Sequence, residues 1–367
     1  MKKYKNLAKE LLVFDAHCDT ANVLYNQSSY FIKEKKSHVS IEKARTGGLK
    51  AQIFAFYVSP VYAPYRSLKK ALLLYTTLEN KLFFSGNAVK VTSTIEMESA
   101  LKKGKLACWL SLEGGHIIEN SIEMLELFYT LGIRCMTLTH SKNTDWADSS
   151  GDDPKHDGLN KLGRNILEKM NELGMVIDVS HSSDKTVEDV LDVSSMPIMA
   201  SHSNARALCD IPRNLSNGLI NAIAEKNGFI GVNFFPGFLK KHIYEQLMKN
   251  IEKNSGWFNK KIQGNKDDPD IINKAEMEHA LKILDGIDTV DLNAVIDHII
   301  HMVDIGGIDC VGLGSDFDGI PITPTDLTDV SCYPALVQGL TSKGFKEKEI
   351  QKIMGLNLFY FLKKFDH

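Results

Sequence analysis

Cysteine is sparse and unpatterned in this chain. Its six cysteines, Cys18, Cys108, Cys135, Cys209, Cys310 and Cys332, form no CxxC pair, and most sit inside apolar runs. That argues against a disulfide framework or a thiolate zinc site and fits buried, reduced thiols. Long apolar stretches are missing as well. The run Leu11–Phe14 near the start falls far short of the roughly 20 residues that span a membrane. The opening MKKYKNLAKELLVFDAH has neither the apolar length nor the small-residue cleavage site of a secretory signal. The expectation is a cytoplasmic protein with no membrane partner. Charge of one sign is also scarce: the net charge is -3, with no basic tail or stripe, which argues against nucleic acid as a partner. There is no internal repeat and no low-complexity tract.

What is present is a rhythm. Eight short apolar or β-branched runs recur at 11–17, 51–58, 106–115, 133–140, 175–181, 197–202, 229–235 and 310–319. Continuous apolar runs of this length suit strands covered on both faces, as in a parallel sheet. The stretches between them read as helices. Residues 66–85 show apolar spacing of three and four, with Leu72, Leu73, Leu78, Leu82 and Phe83; 121–131 begin at Ser121 and stop before Gly132; 160–173 end at Gly174; 183–193 follow Ser182 and Ser183. Eight strands alternating with helices predict a (β/α)8 TIM barrel, an α/β fold that a single domain over residues 1–367 accommodates. A doubly wound sheet is the second choice, but no GxGxxG follows any run. One stretch breaks the rhythm, a long excursion between the seventh and eighth strands. Residues 236–278 are polar and read as loop, and 279–305 read as one strong helix. A long insertion leaving the C-terminal end of a strand is either a surface excursion or a lid, and the lid is favoured.

In such a barrel the active site lies at the C-terminal ends of the strands, so polar residues that end apolar strands are informative. His17 and Asp19 end the first run, one residue apart and expected on one face of the strand, with Cys18 on the other. Glu113 ends the third, His140 the fourth, His181 the fifth, His202 the sixth and Asp316 the eighth. Any one of these could be a helix cap or a satisfied buried histidine. Six of eight strands ending this way is a different matter, because charged groups avoid buried positions without partners. Four histidines and three carboxylates on one rim make a metal-hydrolase constellation. His17, Asp19, Glu113, His181 and His202 are too many ligands for one catalytic zinc with an open position. If Glu113 bridges, each of two ions receives three protein ligands and a shared hydroxide fills the gap as nucleophile. The nitrogen and oxygen donors favour zinc over manganese or cobalt.

The motifs DAHCDT (15–20), SLEGGH (111–116), TLTHSKNTDWAD (137–148), VIDVSH (176–181), SHSNAR (201–206), IPRN (211–214) and GSDFDG (314–319) carry a resemblance to a known family. The chain resembles the membrane (renal) dipeptidases, zinc enzymes of the metal-dependent amidohydrolase barrels, over nearly its whole length. The resemblance implies a barrel with two zinc ions, commonly assembled as a homodimer, acting on dipeptides. It implies that His17, Asp19 and Glu113 hold one zinc, and Glu113, His181 and His202 the other. It also implies that His140 binds the substrate carbonyl and stabilises its oxyanion, that Arg213 pairs with the substrate's terminal carboxylate, and that Asp316 is the acid/base serving the water and the leaving amine. These roles are chemically apt: a guanidinium suits a free carboxylate, and a developing oxyanion needs donors beside it. Two other readings compete. The same site could cleave another small amide, such as a β-lactam or an N-acyl amino acid, since a barrel rim hosts many chemistries. A non-enzymatic scaffold would require a missing ligand, and none is missing.

Overall fold

The protein is described from a computed structural model covering residues 2–26 and 37–366. Nine strands form one parallel sheet: β1 (Val13–Cys18), β2 (Leu49–Tyr57), β3 (Ala88–Lys90), β4 (Leu106–Glu113), β5 (Ile133–Thr137), β6 (Val176–Asp178), β7 (Met199–Ala200), β8 (Phe229–Val232) and β9 (Val311–Leu313). The order β2-β1-β9-β8-β7-β6-β5-β4, closed by a β2–β4 pairing, is an eight-stranded barrel built from the eight runs expected. The ninth strand, β3, went unread. It is three residues long, too short to register as an apolar run, and it pairs only with Leu106–Cys108 of β4, below Leu110 where β5 begins. The strands also stop earlier than the apolar runs do. His140, His181 and His202 therefore lie just past the ends of β5, β6 and β7 rather than in them.

Side-chain alternation sorts the strands into two apolar layers. Phe14, Ala51, Ile53, Ala107, Trp109, Cys135, Val176, Met199 and Phe229 fill the barrel, and Leu358, Phe361 and Phe365 of the C-terminal segment close its lower end. Phe54, Leu110, Leu112, Met136, Ile177 and Val232 point outward into the layer beneath the helices. β1 departs from strict alternation. Asp15 pairs with Gln52 and Cys18 with Phe54, so three steps along β1 match two along β2. Phe14 and Ala16 face the interior while Cys18 lies in the outer layer. The extra residue of this bulge brings His17 to the inner side, where an unbroken strand would have turned it outward with Asp15. The expectation that Cys18 packs beneath the helices holds; a regular strand is not the reason. All six cysteines are free thiols, five of them buried.

The helices start and stop where their caps predict. Ser121, Asn160 and Ser183 each accept a backbone N–H from the first turn of the helices Ile122–Thr130, Lys161–Leu173 and Asp184–Val193, and Gly174 ends the second at φ 67°. The excursion differs from expectation. Residues 236–278 are mostly helical, comprising Pro236–Leu239, Lys241–Ile262 and most of Pro269–Ile283. The single helix expected over 279–305 is two, because Gly286 at φ 68° breaks the chain and Asp291 caps a new helix, Leu292–Gly306. The periodic stripe runs through both pieces, which is why it read as one. Among the described residues no helix is long and apolar enough to cross a membrane.

Leu292–Gly306 carries a buried polar pin. His298 Nδ1 accepts the Ala205 N–H at 3.1 Å, and its Nε2 donates to the Leu239 carbonyl at 3.1 Å. That pair of bonds requires the neutral ring. Burial lowers the His298 pKa to about 4, against an ordinary value of 6.5. The unfolded chain therefore binds a proton more readily, and the stability the pin contributes is complete above about pH 6.5 and lost as pH falls toward 4. Denaturant melts of the wild type and His298→Gln across pH 4 to 7 test this, with a shallower acid decline expected for the variant.

Candidate metal centre and active site

The C-terminal mouth of the barrel collects every residue singled out from the sequence. Glu113, 3% exposed, ends β4 on the face of Trp109 and Ser111, so unbroken alternation aims it inward. Its Oε1 lies 3.6 Å from His17 Nε2, 3.7 Å from His140 Nε2, 3.3 Å from His181 Nε2 and 3.5 Å from His202 Nε2. Asp19 Oδ2 stands 3.5 Å from His17 Nε2, and Asp316 Oδ1 approaches the same nitrogen at 4.0 Å. Three overlapping groups could each hold a cation: His17, Glu113 and His202; Glu113, His140 and His181; His17, Asp19 and Asp316. Glu113 belongs to two of them.

The protein's own hydrogen bonds leave this cluster incomplete. His17 Nε2 and Asp19 Oδ1 are buried with no hydrogen-bond partner, and His181 Nε2 meets His202 Nε2 at 2.8 Å. Orphaned buried donor atoms are costly unless something else satisfies them. Burial, with the nearby Arg213 cation, lowers the pKa of His140 to about 3. His181 and His202 are likewise held well below their usual value, by burial first and neighbouring cations second. These rings are neutral at pH 7 and keep a lone pair. Burial, reinforced by the Glu113 charge, pushes Asp19 up to about 7, and burial does the same to Asp316. Burial opposes a charge on His17, yet Glu113 and Asp19 outweigh it and raise its pKa well above 6.5. Neutral imidazoles and crowded carboxylates with unsatisfied atoms are the donor set that divalent cations take up.

Behind this cluster stands a polar shell that the sequence reading passed over. Asp178, facing inward from the end of β6, accepts Thr137 Oγ1 at 2.9 Å, the Ser180 N–H at 3.0 Å, the Ser201 N–H at 2.9 Å and the Ser201 hydroxyl. Ser201 Oγ lies 2.7 Å from His202 Nδ1. A hydroxyl that donates to Asp178 accepts the Nδ1 proton, which leaves the Nε2 lone pair of His202 for the cluster. Asp15 plays the matching part at β1, accepting the His17 and Ser315 N–H groups and the hydroxyls of Ser315 and Tyr333. Asn233 Nδ2 donates to Asp316 Oδ2 at 2.9 Å, and Asn233 is itself fixed by Asn204. The available signal was an Asp in an otherwise apolar strand, at 15 and 178, a position carboxylates rarely occupy without a task.

The motifs set up unusual backbone. His181, Asp316 and Asp318 adopt φ values of 68°, 61° and 69°, a left-handed conformation that costs a non-glycine residue energy and concentrates at functional sites. In GSDFDG only glycine fits either end. A Cβ on Gly314 would lie 1.9 Å from the Ser201 carbonyl oxygen, and one on Gly319 2.2 Å from Asp19 Oδ2. In TLTHSKNTDWAD, Asp148 accepts the N–H groups of Lys155, His156 and Gly158, closing a loop. Ser149 then ties the His140 and His181 carbonyls together.

Arg213 lies on the far side of the cavity from β2. It is partly buried, donating to the His202 carbonyl at 2.7 Å and to Ser203 Oγ at 3.0 Å, while its inaccessible Nε has no partner. Among the described residues no carboxylate lies within 4 Å of it. Burial lowers its pKa to about 10, so it stays charged at pH 7. The shared cavity, about 560 Å³, is lined by Asp19, Glu113, His140, His181, Arg213 and Asp316 together with aromatic and aliphatic walls.

A parallel barrel carrying this rim presents a candidate divalent-metal site open to a cavity. The chain belongs to the membrane dipeptidase family, peptidase family M19, which it matches over residues 1–367. It is 34% identical over 264 residues to dipeptidase tcpJ of Claviceps purpurea, covering 72% of this chain and 52% of that protein. It is 28% identical over 363 residues to dipeptidase 3 of Homo sapiens, covering 96% of this chain and 64% of that one. This chain thus spans between about half and two thirds of those relatives. The probable dipeptidase PvdM from Pseudomonas aeruginosa superposes with a TM-score of 0.84 at 26% identity, covering 99% of this chain and 98% of that one. Ser201→Ala, which removes the hydroxyl beside His202 Nδ1, is expected to weaken divalent-ion affinity at this rim roughly 10- to 100-fold, read by calorimetric titration of the metal-stripped protein, with its circular dichroism unchanged.

Proposed function

We propose that this protein is a dinuclear zinc dipeptidase cleaving the peptide bond of substrates with a free C-terminal carboxylate. The observation that carries the reading is Arg213, a partly buried guanidinium with no carboxylate within 4 Å among the described residues, facing the same cavity as the Glu113 cluster. A partly buried cation without a close counter-ion is well suited to receive a carboxylate. His17, Asp19 and Glu113 would hold one zinc, and Glu113, His181 and His202 the other. Glu113's place in two of the three possible groups supports its bridging role. Zinc bound there would acidify water and polarise the substrate carbonyl.

The chain's own groups supply the rest. Neutral His140, flanked by Tyr57 and His181 at 4.5 and 4.2 Å between centroids, would donate to the carbonyl oxygen as negative charge develops there. Asp316, oriented by Asn233, would take the proton from water and hand it to the departing amine. A reducing, cytoplasmic setting is supported by the free thiols, and a homodimer rests on the family resemblance alone.

The excursion is proposed to act as a lid. The helix Pro269–Ile283 buries only Pro269 and Ala275 and is held to the barrel through polar contacts. Elements with little buried apolar surface open at low free energy. Amide hydrogen exchange is expected to be faster in 269–283 than in Leu292–Gly306; equal protection would remove the lid.

Chelation should abolish hydrolysis of L,L- and L,D-dipeptides and added zinc should restore it, whereas full turnover by a metal-stripped sample would refute the reading. Arg213→Ala should raise KM for free dipeptides by roughly tenfold to a hundredfold, the worth of a charge-assisted pair, with little change on C-terminally amidated ones. Preferential turnover of β-lactams or N-acyl amino acids would point to the other amide substrates instead.

A further inference from the structure

The strand order places β2 diametrically opposite β7 in the barrel, with the Glu113 cluster between them. Arg213 follows β7, so a dipeptide anchored there by its carboxylate, with its peptide bond at the cluster, extends its first residue toward the exit of β2. That side of the cavity is lined by Val23, Tyr57, Tyr62 and Leu74, and by Met277 from the helix Pro269–Ile283. The ionic groups on this wall are engaged with neighbours. Asp270 accepts Tyr62 Oη and Lys70 Nζ, each at 2.7 Å, and Lys70 also lies 4.6 Å from the Tyr62 ring. Glu276 accepts Ser59 Oγ at 2.8 Å. These contacts fasten the helix over the β2 exit, where Met277 lines the cavity together with Val23, Tyr62 and Leu74, beside the uncharged amides of Asn22 and Asn273.

Resting on the dipeptidase reading, we propose that Met277, with Val23, Tyr62 and Leu74, forms the subsite for the side chain of the substrate's first residue and selects large apolar side chains. Methionine suits the task. Its unbranched, polarisable chain adapts to leucine, methionine or phenylalanine, and offers nothing to compensate a buried charge. Specificity at this subsite is therefore set by the excursion, while the metal centre and Arg213 handle what all dipeptides share.

The test compares kcat/KM of the zinc-loaded full chain on Leu-Ala, Phe-Ala, Lys-Ala and Gly-Ala. Glycine places no side chain in the subsite, so Gly-Ala is the internal reference. The wild type is expected to favour Leu-Ala and Phe-Ala over Gly-Ala by about tenfold or more, the range a hydrophobic pocket supplies. Met277→Asp should cut that ratio about tenfold and raise Lys-Ala relative to Gly-Ala, and Met277→Ala should lower the Leu-Ala ratio through KM. Met277→Leu should keep it. Equal loss on all four substrates, or a wild type indifferent to the first side chain, overturns the inference while leaving the dipeptidase reading intact. A wild type that cleaves no dipeptide overturns both.

Discussion

The mouth of this barrel is arranged around a single oxygen. Glu113 Oε1 has four imidazole nitrogens within 3.7 Å, contributed by chain segments from His17 to His202. Such crowding of buried polar groups is unfavourable in a folded core unless a cation or substrate resolves it. The rest of the rim serves to hold it. β4 pairs with β2 from Ala51↔Ala107 to Tyr57↔Glu113, closing the barrel and fixing how far Glu113 reaches. The bulge in β1 delivers His17 to the same point, and the Asp178–Ser201 pair turns the unprotonated Nε2 of His202 toward the cluster.

Rigidity and adaptability are segregated. The clustered residues sit at or just past strand ends, braced by Asp15, Asp178 and Asn233, and His181 and Asp316 accept strained backbone to get there. The cavity's outer wall is built differently, from helices of the excursion attached by hydroxyl–carboxylate and lysine–aspartate contacts. A fixed centre beneath a lightly held helix is the arrangement that the proposed lid requires.

Much of this was legible beforehand because strand ends in a parallel barrel share one rim. Polar residues terminating apolar runs, from His17 to Asp316, could be placed together without knowing a single contact. What escaped had weak local signals. β3 is three residues of AVK, and its existence depends on a free edge of β4 below β5. The break at Gly286 hides inside a continuous amphipathic stripe. Asp15 and Asp178 were visible in the motifs but received no role, since their task is to orient neighbours and not to touch the cavity. Residues 27–36, in the stretch between β1 and β2, lie outside the described residues.

Residue type and position along the strands thus settle the fold class, the rim and the identity of its polar groups, because period and termination are local properties. Which imidazole meets which carboxylate, how a bulge turns His17 inward, and how Met277 comes to face the cavity are not local. They depend on sheet closure, on register between distant strands, and on the docking of a helix some two hundred residues from the strand exit it covers. Each is a contact between segments whose proximity exists only once the barrel has closed.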